Sequence, residues 1–217
     1  MTNLLHPSSI AGQADLFGGA ILPGLSYREE FVSDAEEGAL IAGMHRVKLT
    51  PFRFQQWTGK RLTHSFGWSY DFETGSFAPT DSIPGWLTPL KARAARFARL
   101  EPEALVQALL IRYDPGAGIG WHRDRPVFEH VIGISLGAPA TMRFRRRNGA
   151  KFDRASAPLA ARSIYHLSGE ARHGWEHSIA EMESPRWSIT FRSLADASRR
   201  QAQSSGQDET CPPRAPL

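Results

Sequence analysis

The second half of the chain is a succession of short β-prone runs, and these runs limit the possible fold more than any other feature. Each run is rich in β-branched and aromatic residues and ends at a turn that contains Gly, Pro or Asn, which is the pattern of successive strands. The runs lie at 105–113, 129–136, 141–146, 162–167, 175–179 and 186–194. Strands at such close spacing predict a β-sandwich or barrel-like core.

Two helices are predicted ahead of these strands. Ser33 and Glu36 form a capping-box pattern before an apolar stretch, which indicates a helix over roughly 34–44. A second helix fits 86–100, where the apolar residues share one stripe and the basic residues lie largely off it. Helices followed by many strands predict the α+β class.

The chain is predicted to form one folded domain between two less regular ends. Residues 1–25 are rich in Gly, Ser and Pro and show no sustained period, so we expect an N-terminal arm. Residues 26–196 form the predicted domain, since 217 residues with 41% hydrophobic content suffice for one sizeable core. Residues 197–217 are polar and Pro-containing, and we expect a disordered tail there.

Charge and cysteine content narrow the classes of partner and compartment. The net charge of +4 permits a polyanionic partner such as nucleic acid. The single cysteine, Cys211, excludes a disulfide framework and a cysteine-based zinc site, and it is typical of a reducing cytoplasm. Because the sequence contains neither a long apolar run nor a leader pattern, we expect a cytoplasmic protein with no membrane association. No obligate protein partner is implied.

The stretch GIGWHRD, 118–124, contains a possible metal-binding pair. In an extended segment residues i and i+2 point to one face, so His122 and Asp124 can aim an imidazole and a carboxylate at one point. A distant histidine would complete the two-histidine, one-carboxylate triad of non-haem Fe(II) oxygenases. The alternative is a loop histidine hydrogen-bonded to an aspartate. The glycines do not indicate a nucleotide loop, because the residues after them start a helix poorly.

A second unusual pattern lies in RWSITFR, 186–192. Arg186 and Arg192 are six residues apart and share one face of a regular strand, whereas the alternate positions on the other face are apolar. Two arginines on a strand that enters the core need an anion, and a small dicarboxylate suits both. The alternative is that this face is exposed and the arginines are solvated.

In this order, these segments resemble the AlkB family of Fe(II)- and 2-oxoglutarate-dependent dioxygenases over about residues 20–195. The segments that carry the resemblance are 109–124, 131–144, 167–179 and 186–194. Upstream, TGKRLTHSFGWSYDF at 58–72 is similar to the family segment that shapes a lid over the nucleotide. The implied fold is a double-stranded β-helix, or jelly-roll, with N-terminal helices and a nucleotide-lid-like extension.

The resemblance also implies the cofactors and their residues. The implied cofactors are Fe(II), 2-oxoglutarate as cosubstrate, and O2. The implied iron ligands are His122, Asp124 and His177. The implied 2-oxoglutarate residues are Tyr113, Ser188, Arg186 and Arg192, with one arginine on the distal carboxylate and the other near the metal-side end.

Other histidines and two departures from the family pattern complete this interpretation. His173 is expected to line the site or support a ligand, whereas His130 and His166 are expected to be structural.

Ile111 and Ser188 stand where some relatives have asparagines near the cosubstrate. Pro126 stands where some base-repair members have an acidic residue that recognises the base, which puts the usual alkyl-base preference in doubt.

The implied activity is oxidative demethylation of alkylated DNA or RNA bases, with release of formaldehyde and succinate. Aromatic and basic residues suited to a flipped base and its phosphates are Trp57, Arg61, Trp68, Tyr70 and Arg123. The alternative for the aromatic rings is ordinary core packing. A run of arginines around the Asn148-Gly149 hairpin signal adds basic charge, unless it is only a solvated hairpin. Two alternatives remain open: an oxygenase of proteins or small molecules, and a non-catalytic jelly-roll binding module.

Overall fold

The computed structural model describes residues 21–54, 57–70, 77–196 and 198. The helices are α1 (Asp34–His45), α2 (Thr88–Ala98) and α3 (Gly169–His173). The first seven strands are β1 (Leu25–Arg28), β2 (Thr50–Phe54), β3 (Trp57–Phe66), β4 (Trp68–Tyr70), β5 (Phe77–Pro79), β6 (Leu105–Tyr113) and β7 (Ile119–His122). The others are β8 (Phe128–Gly137), β9 (Ala140–Asn148), β10 (Lys151–Leu159), β11 (Ile164–Leu167), β12 (Glu176–Ile179) and β13 (Arg186–Leu194). The predicted N-terminal arm and C-terminal tail fall almost entirely outside the described residues.

Eleven of the thirteen described strands form two sheets that share a core, and β4 and β5 pair in a separate two-stranded sheet. The large sheet has seven strands in the order β1-β11-β8-β13-β6-β3-β2, and the small sheet has four in the order β10-β9-β12-β7. Apolar residues of both sheets, among them Ile111 from the large sheet and Phe144 from the small one, meet in one buried cluster. The sheets therefore pack face to face, as the predicted sandwich requires.

Strand β13 lies at the centre of the large sheet, and its two faces meet different environments. Ile189 and Phe191 belong to a second buried cluster with residues of α1 and α2. The alternate residues, among them Ser188 and Thr190, are also buried and point away from the helices. Because the strand is covered on both faces, its polar residues have no access to bulk water.

The two predicted helices are present. At α1 the Ser33 side chain accepts from the Glu36 backbone N–H, and the Glu36 side chain accepts from the Ser33 backbone N–H, so the predicted capping box is formed. The second begins with a 3-10 turn at Gly85–Leu87 before α2. It ends at Arg99, which adopts a left-handed conformation with φ 58°. None of the described helices is long and apolar enough to cross a bilayer.

Several strands were not predicted, and each is irregular in sequence. β10 (KFDRASAPL) lacks a continuous apolar pattern, yet it pairs along its whole length with β9 across the predicted Asn148-Gly149 turn. β2 and β3 contain Pro51 and Gly59, which weaken a strand prediction. β3 also occupies most of the segment predicted to form a lid, and it pairs with β6 in the large sheet. Only after Gly67 does the described chain leave that sheet.

Candidate metal centre

His122, Asp124 and His177 converge at one end of the sandwich. One ligand atom from each of them lies within 4.8 Å of the others. His177 Nε2 is 3.6 Å from Asp124 Oδ2, and the two imidazole centroids are 4.3 Å apart. Two nitrogens and one carboxylate oxygen at this separation suit a divalent transition metal and leave further coordination positions open.

Strand register brings the two histidines together. His122 on β7 is the direct cross-strand partner of His177 on β12, and side chains of such partners stand on one face of a sheet. Asp124 follows two residues after His122, just past the end of β7. Among the downstream histidines of the described chain, this register selects His177.

Gly118 makes the close contact between β7 and β12 possible. A Cβ atom at this position would lie 2.9 Å from the carbonyl oxygens of Ile179 and Ala180. Gly120, in contrast, faces open space within 4 Å. The tight backbone approach therefore belongs to Gly118 and not to Gly120.

The hydrogen bonds and burial of the histidines suit metal binding. His122 Nδ1 is 2.9 Å from the Gly120 carbonyl oxygen; since a carbonyl only accepts, Nδ1 carries the proton and Nε2 has a free lone pair. Burial lowers the pKa of His122, and burial together with His122 lowers that of His177 to about 3. Both rings are thus neutral at physiological pH, which is the form that binds metals.

Asp124 remains ionised although it is buried. Burial opposes ionisation, but the positive charge of Arg192, with a smaller contribution from Arg172, outweighs it and holds the pKa of Asp124 below its ordinary value. Arg192 Nη2 donates to Asp124 Oδ1 at 2.9 Å. Arg192 Nη1 donates to Gln107 Oε1 at 2.9 Å, and Gln107 Nε2 donates to the Trp68 carbonyl at 2.7 Å. One hydrogen-bonded chain thus runs from the carboxylate to the extension after β3.

Arg186, at the other end of β13, is a buried cation with unused hydrogen-bond capacity. It is 1% exposed, and Nη2 donates to Ser135 Oγ at 2.8 Å. Its Nε and Nη1 find no partner within the described chain. Arg186 pairs in register with Tyr113, whose ring centroid is 5.3 Å from the guanidinium carbon. A buried guanidinium with free donors fits a carboxylate ligand.

The other predicted cosubstrate residue, Ser188, is 3% exposed and lies between Ile111 and Ser135 in the sheet register. Because side chains on a strand alternate, Ser188 shares its face with Arg186 and Arg192. The structure thus brings Tyr113, Arg186 and Ser188 together in one stretch of paired strands, with Arg192 at the metal end.

Four residues near the site were missed in the sequence interpretation. They are Gln107, Ser135, Tyr165 and Arg172. Burial raises the pKa of Tyr165 to about 12, and Asp124 adds to the effect. Arg172 Nη2 donates to the carbonyls of Arg125 and Phe128 at 2.5 and 2.7 Å, which ties down the segment that carries Asp124. A polar residue inside an otherwise apolar strand was the available signal for Gln107 and Ser135.

The predicted substrate residues lie in different environments. Arg61 is 8% exposed, and its guanidinium carbon is 3.9 Å from the Phe52 ring centroid. Trp68 stacks on Phe77 with centroids 4.8 Å apart, and Arg123 is exposed beside the ligands. The side chains of Trp57 and Tyr70 lie outside what the structure describes.

Three further downstream histidines make hydrogen bonds outside the cluster. His130 Nδ1 is 2.9 Å from His166 Nε2, as expected of structural residues. His173 Nε2 is 3.0 Å from Glu129 Oε1, and its side chain is half-exposed. His173 was predicted to line the site or support a ligand; its ring instead hydrogen-bonds Glu129 on the surface.

A family model described as 2OG-Fe(II) oxygenase superfamily matches residues 32–201. The match covers most of the chain and includes the whole metal cluster. The chain belongs to the 2OG-Fe(II) oxygenase superfamily. The predictions of a dioxygenase and of its cofactors Fe(II), 2-oxoglutarate and O2 are thereby confirmed, and a non-catalytic binding module is no longer a candidate.

Curated relatives of this oxygenase carry AlkB names. The mouse tRNA (carboxymethyluridine(34)-5-O)-methyltransferase ALKBH8 is 28% identical over 74% of this chain and 24% of its own length. The human alpha-ketoglutarate-dependent dioxygenase alkB homolog 4 is 26% identical over 84% of this chain and 71% of its own. The Arabidopsis thaliana alkylated DNA repair protein ALKBH8 homolog is 27% identical over 73% and 51%. This oxygenase thus spans about a quarter of the mouse relative, and the predicted AlkB resemblance is confirmed.

Two solved structures share the fold. OsALKBH1 superimposes with a TM-score of 0.60 at 16% identity, over 78% of this oxygenase and 98% of OsALKBH1. A Pseudomonas putida prolyl-4-hydroxylase does so with a TM-score of 0.55 at 16% identity, over 79% and 93%. The predicted jelly-roll class is therefore confirmed, and at this identity the likeness extends to the fold alone.

Proposed function

We propose that this oxygenase removes alkyl groups oxidatively from nucleic-acid bases, and that it binds Fe(II) through His122, Asp124 and His177. The observation that carries the proposal is that two arginines adjoin this cluster: buried Arg61, which interacts with His122 and Asp124, and exposed Arg123 between the two ligands. Positive charge next to the cluster suits a phosphate that flanks a flipped base. The names of the ALKBH8 relatives, which refer to tRNA and to alkylated DNA repair, agree with such a substrate.

The cosubstrate is assigned to the two arginines by their surroundings. Arg192 already contacts Asp124, so we assign it to the metal-side end of 2-oxoglutarate. Arg186 has free donors in a buried position, so we assign it to the distal carboxylate, with Tyr113 and Ser188 beside it. Three arginines, at 61, 172 and 192, interact with the charge of Asp124, and Arg186 is buried at the other end of β13. This excess of positive charge suits a dianion.

The protein's own residues would perform binding, orientation and exclusion of water. When bound, Fe(II) and 2-oxoglutarate supply the oxidising power: one O2 is consumed, 2-oxoglutarate becomes succinate and CO2, and an N-methyl group leaves as formaldehyde. The ionised carboxylate of Asp124 and the neutral imidazoles of the two histidines leave the metal-binding oxygen and nitrogen atoms free of protons. Arg172 holds the Asp124 segment, and buried Tyr165 stays protonated.

A second candidate is an oxygenase of a protein side chain or small molecule. Pro126 favours it, because this residue replaces an acidic residue that recognises the base in some relatives. The prolyl-4-hydroxylase neighbour shares only the fold with this oxygenase.

Succinate and formaldehyde release separates the two candidates. The purified protein would be incubated with methylated single-stranded DNA and RNA, the same oligonucleotides without methyl groups, and methylated peptides. We expect release only with methylated oligonucleotides and none with the His122→Ala variant. Release with peptides alone would contradict the nucleic-acid proposal and leave the oxygenase intact. If anaerobic Fe(II) and 2-oxoglutarate give no visible charge-transfer band, the ligand assignment itself is wrong.

A further inference from the structure

The outer face of the small sheet presents arginines and aromatic rings instead of ordinary mixed polar residues. Inward residues of β9 and β10, such as Phe144 and Ala157, are buried in the shared core. The alternate residues point outward. We give the name arginine face to the outward set formed by Trp121 on β7, Arg143, Arg145 and Arg147 on β9, and Phe152 and Arg154 on β10.

Cross-strand pairing concentrates these residues. Arg145 is the direct partner of Arg154, and Arg147 is the partner of Phe152. Like charges opposite each other in a sheet destabilise it. Arg145 and Arg154 repel each other in this position, and only Arg145 has a carboxylate partner, so an anion bound to the face would reduce the repulsion.

Most of the charge on the arginine face has no internal counter-charge. Arg145 Nε is 2.6 Å from Glu176 Oε2, and this is an ion pair. Arg143 donates instead to the neutral Ser178 hydroxyl at 3.2 Å. Within the described parts of the chain, no carboxylate lies within ion-pair distance of Arg143, Arg147 or Arg154. The face thus has three uncompensated positive charges.

Several of these arginines lie against aromatic rings. The guanidinium carbons of Arg145 and Arg143 lie 4.5 and 5.5 Å from the Trp121 ring centroid. Those of Arg145, Arg147 and Arg154 lie 4.9, 5.4 and 6.0 Å from the Phe152 centroid. Arginines stacked in this way keep donors free for phosphates and offer planes on which bases stack. A purely solvated face needs no such ordering.

The arginine face is continuous with the candidate metal centre. Trp121 immediately precedes His122 on β7, the edge strand of the small sheet. Neighbouring side chains on a strand point to opposite faces, so Trp121 faces outward and His122 faces the cluster. A polymer bound to the arginine face therefore reaches the cluster by passing around the β7 edge. Exposed Arg123, which directly follows His122, lies at this edge.

We propose that the arginine face binds the backbone of a single-stranded nucleic acid whose target base enters the metal centre around β7. This inference rests on the proposed function and deepens it. A sheet face with interleaved rings and arginines matches a strand with unstacked bases, whereas the major groove of a duplex admits an α-helix or a two-stranded ribbon. The uncompensated charge selects a polyanion.

Binding of unmodified, fluorescently labelled single-stranded RNA and DNA tests the proposal without requiring turnover. The test variant is R143Q/R147Q/R154Q, in which every substituted side chain is exposed. The matched control is R46Q/K48Q/R96Q, which removes the same charge from exposed positions on the helix side of the large sheet. The double variant R147Q/R154Q retains the Arg143–Ser178 bond, in case the triple variant folds poorly.

We expect the triple variant to bind single strands roughly tenfold more weakly than wild type, with a salt-dependence slope lower by about 2, as three lost phosphate contacts require. The control should lose little affinity, and the double variant should fall between them. The Fe(II)–2-oxoglutarate band and succinate formation without substrate should be unchanged in all variants. Equal losses in test and control variants, tighter binding of duplex than of single strands by wild type, or no oligonucleotide binding by wild type would overturn the proposal. A failure of demethylation alone, with binding intact, would instead contradict the proposed function.

Discussion

Arg192 donates to one oxygen of Asp124 at 2.9 Å, while the other oxygen of that carboxylate lies 3.6 Å from His177 Nε2. One residue of β13 thereby controls both the orientation and the charge of a proposed iron ligand. Because Arg192 also bonds Gln107, the carboxylate is connected to the centre of the large sheet.

Removal of the Arg192 charge should make iron binding more sensitive to acid. In R192M, burial of Asp124 is no longer offset by Arg192, so the pKa of Asp124 rises and protons compete with Fe(II) at higher pH. We expect the pH midpoint of Fe(II) binding, measured without 2-oxoglutarate because Arg192 is also assigned to that cosubstrate, to move upward relative to wild type. R143M, which alters an arginine outside the site, should keep the wild-type midpoint. An unshifted midpoint in R192M would contradict this role.

Arg186 should matter for 2-oxoglutarate and not for the stability of the protein without it. Replacing a buried, incompletely paired cation by an apolar residue of similar size is often neutral or stabilising, so R186M should melt at or above the wild-type temperature without ligand. Thermal melts with Mn(II) should show a rise on addition of 2-oxoglutarate in wild type and none in R186M. A full ligand-dependent rise in R186M would show that the distal carboxylate binds elsewhere.

The two glycines at 118 and 120 provide a matched pair for the β7–β12 contact. In G118A the new methyl group would meet backbone atoms 2.9 Å away, which forces the strands that carry His122 and His177 apart. We expect a loss of about 1–3 kcal/mol in unfolding free energy, measured by denaturant titration, together with weaker Fe(II) binding. G120A, whose methyl group meets nothing within 4 Å, should match wild type. Similar stabilities of the two variants would contradict this contact.

The His130–His166 pair should make stability depend on pH. Burial, with His130 nearby, lowers the pKa of His166 to about 4, below the unfolded value of 6.5. Between these values the unfolded chain binds more protons than the folded one, so unfolding free energy falls as pH falls through this window, by up to ~3 kcal/mol.

Denaturant titrations of metal-free protein from pH 7 to pH 4 check this dependence. H166N should show a shallower decline than wild type because the titrating group is gone. H45Q, which removes an exposed histidine on α1, should follow the wild-type curve. A curve for H166N as steep as that of wild type would assign the acid sensitivity to other groups.

The local sequence pattern alone predicted those elements whose residue types suit the environment that the fold gives them. The bounds predicted for β6 and β13 match the structure, because each is a continuous run of β-prone residues buried on both faces. The Ser33–Glu36 cap formed as predicted because both partners lie within one helical turn. β10 was missed because its stability comes from pairing with β9 and not from its own residues.

The sequence by itself determined the chemistry that this chain can hold: a His-x-Asp pair, further histidines and two arginines on one strand face. Those are properties of residue type and of strand periodicity, and both are local. Only the tertiary structure decided which groups meet. The register of β7 on β12 selects His177, the packing of β13 brings Arg192 to Asp124, and the fold buries Tyr165 and Arg172 near the same point. These contacts join residues far apart along the chain, and their geometry depends on how two sheets pack, which no single segment encodes.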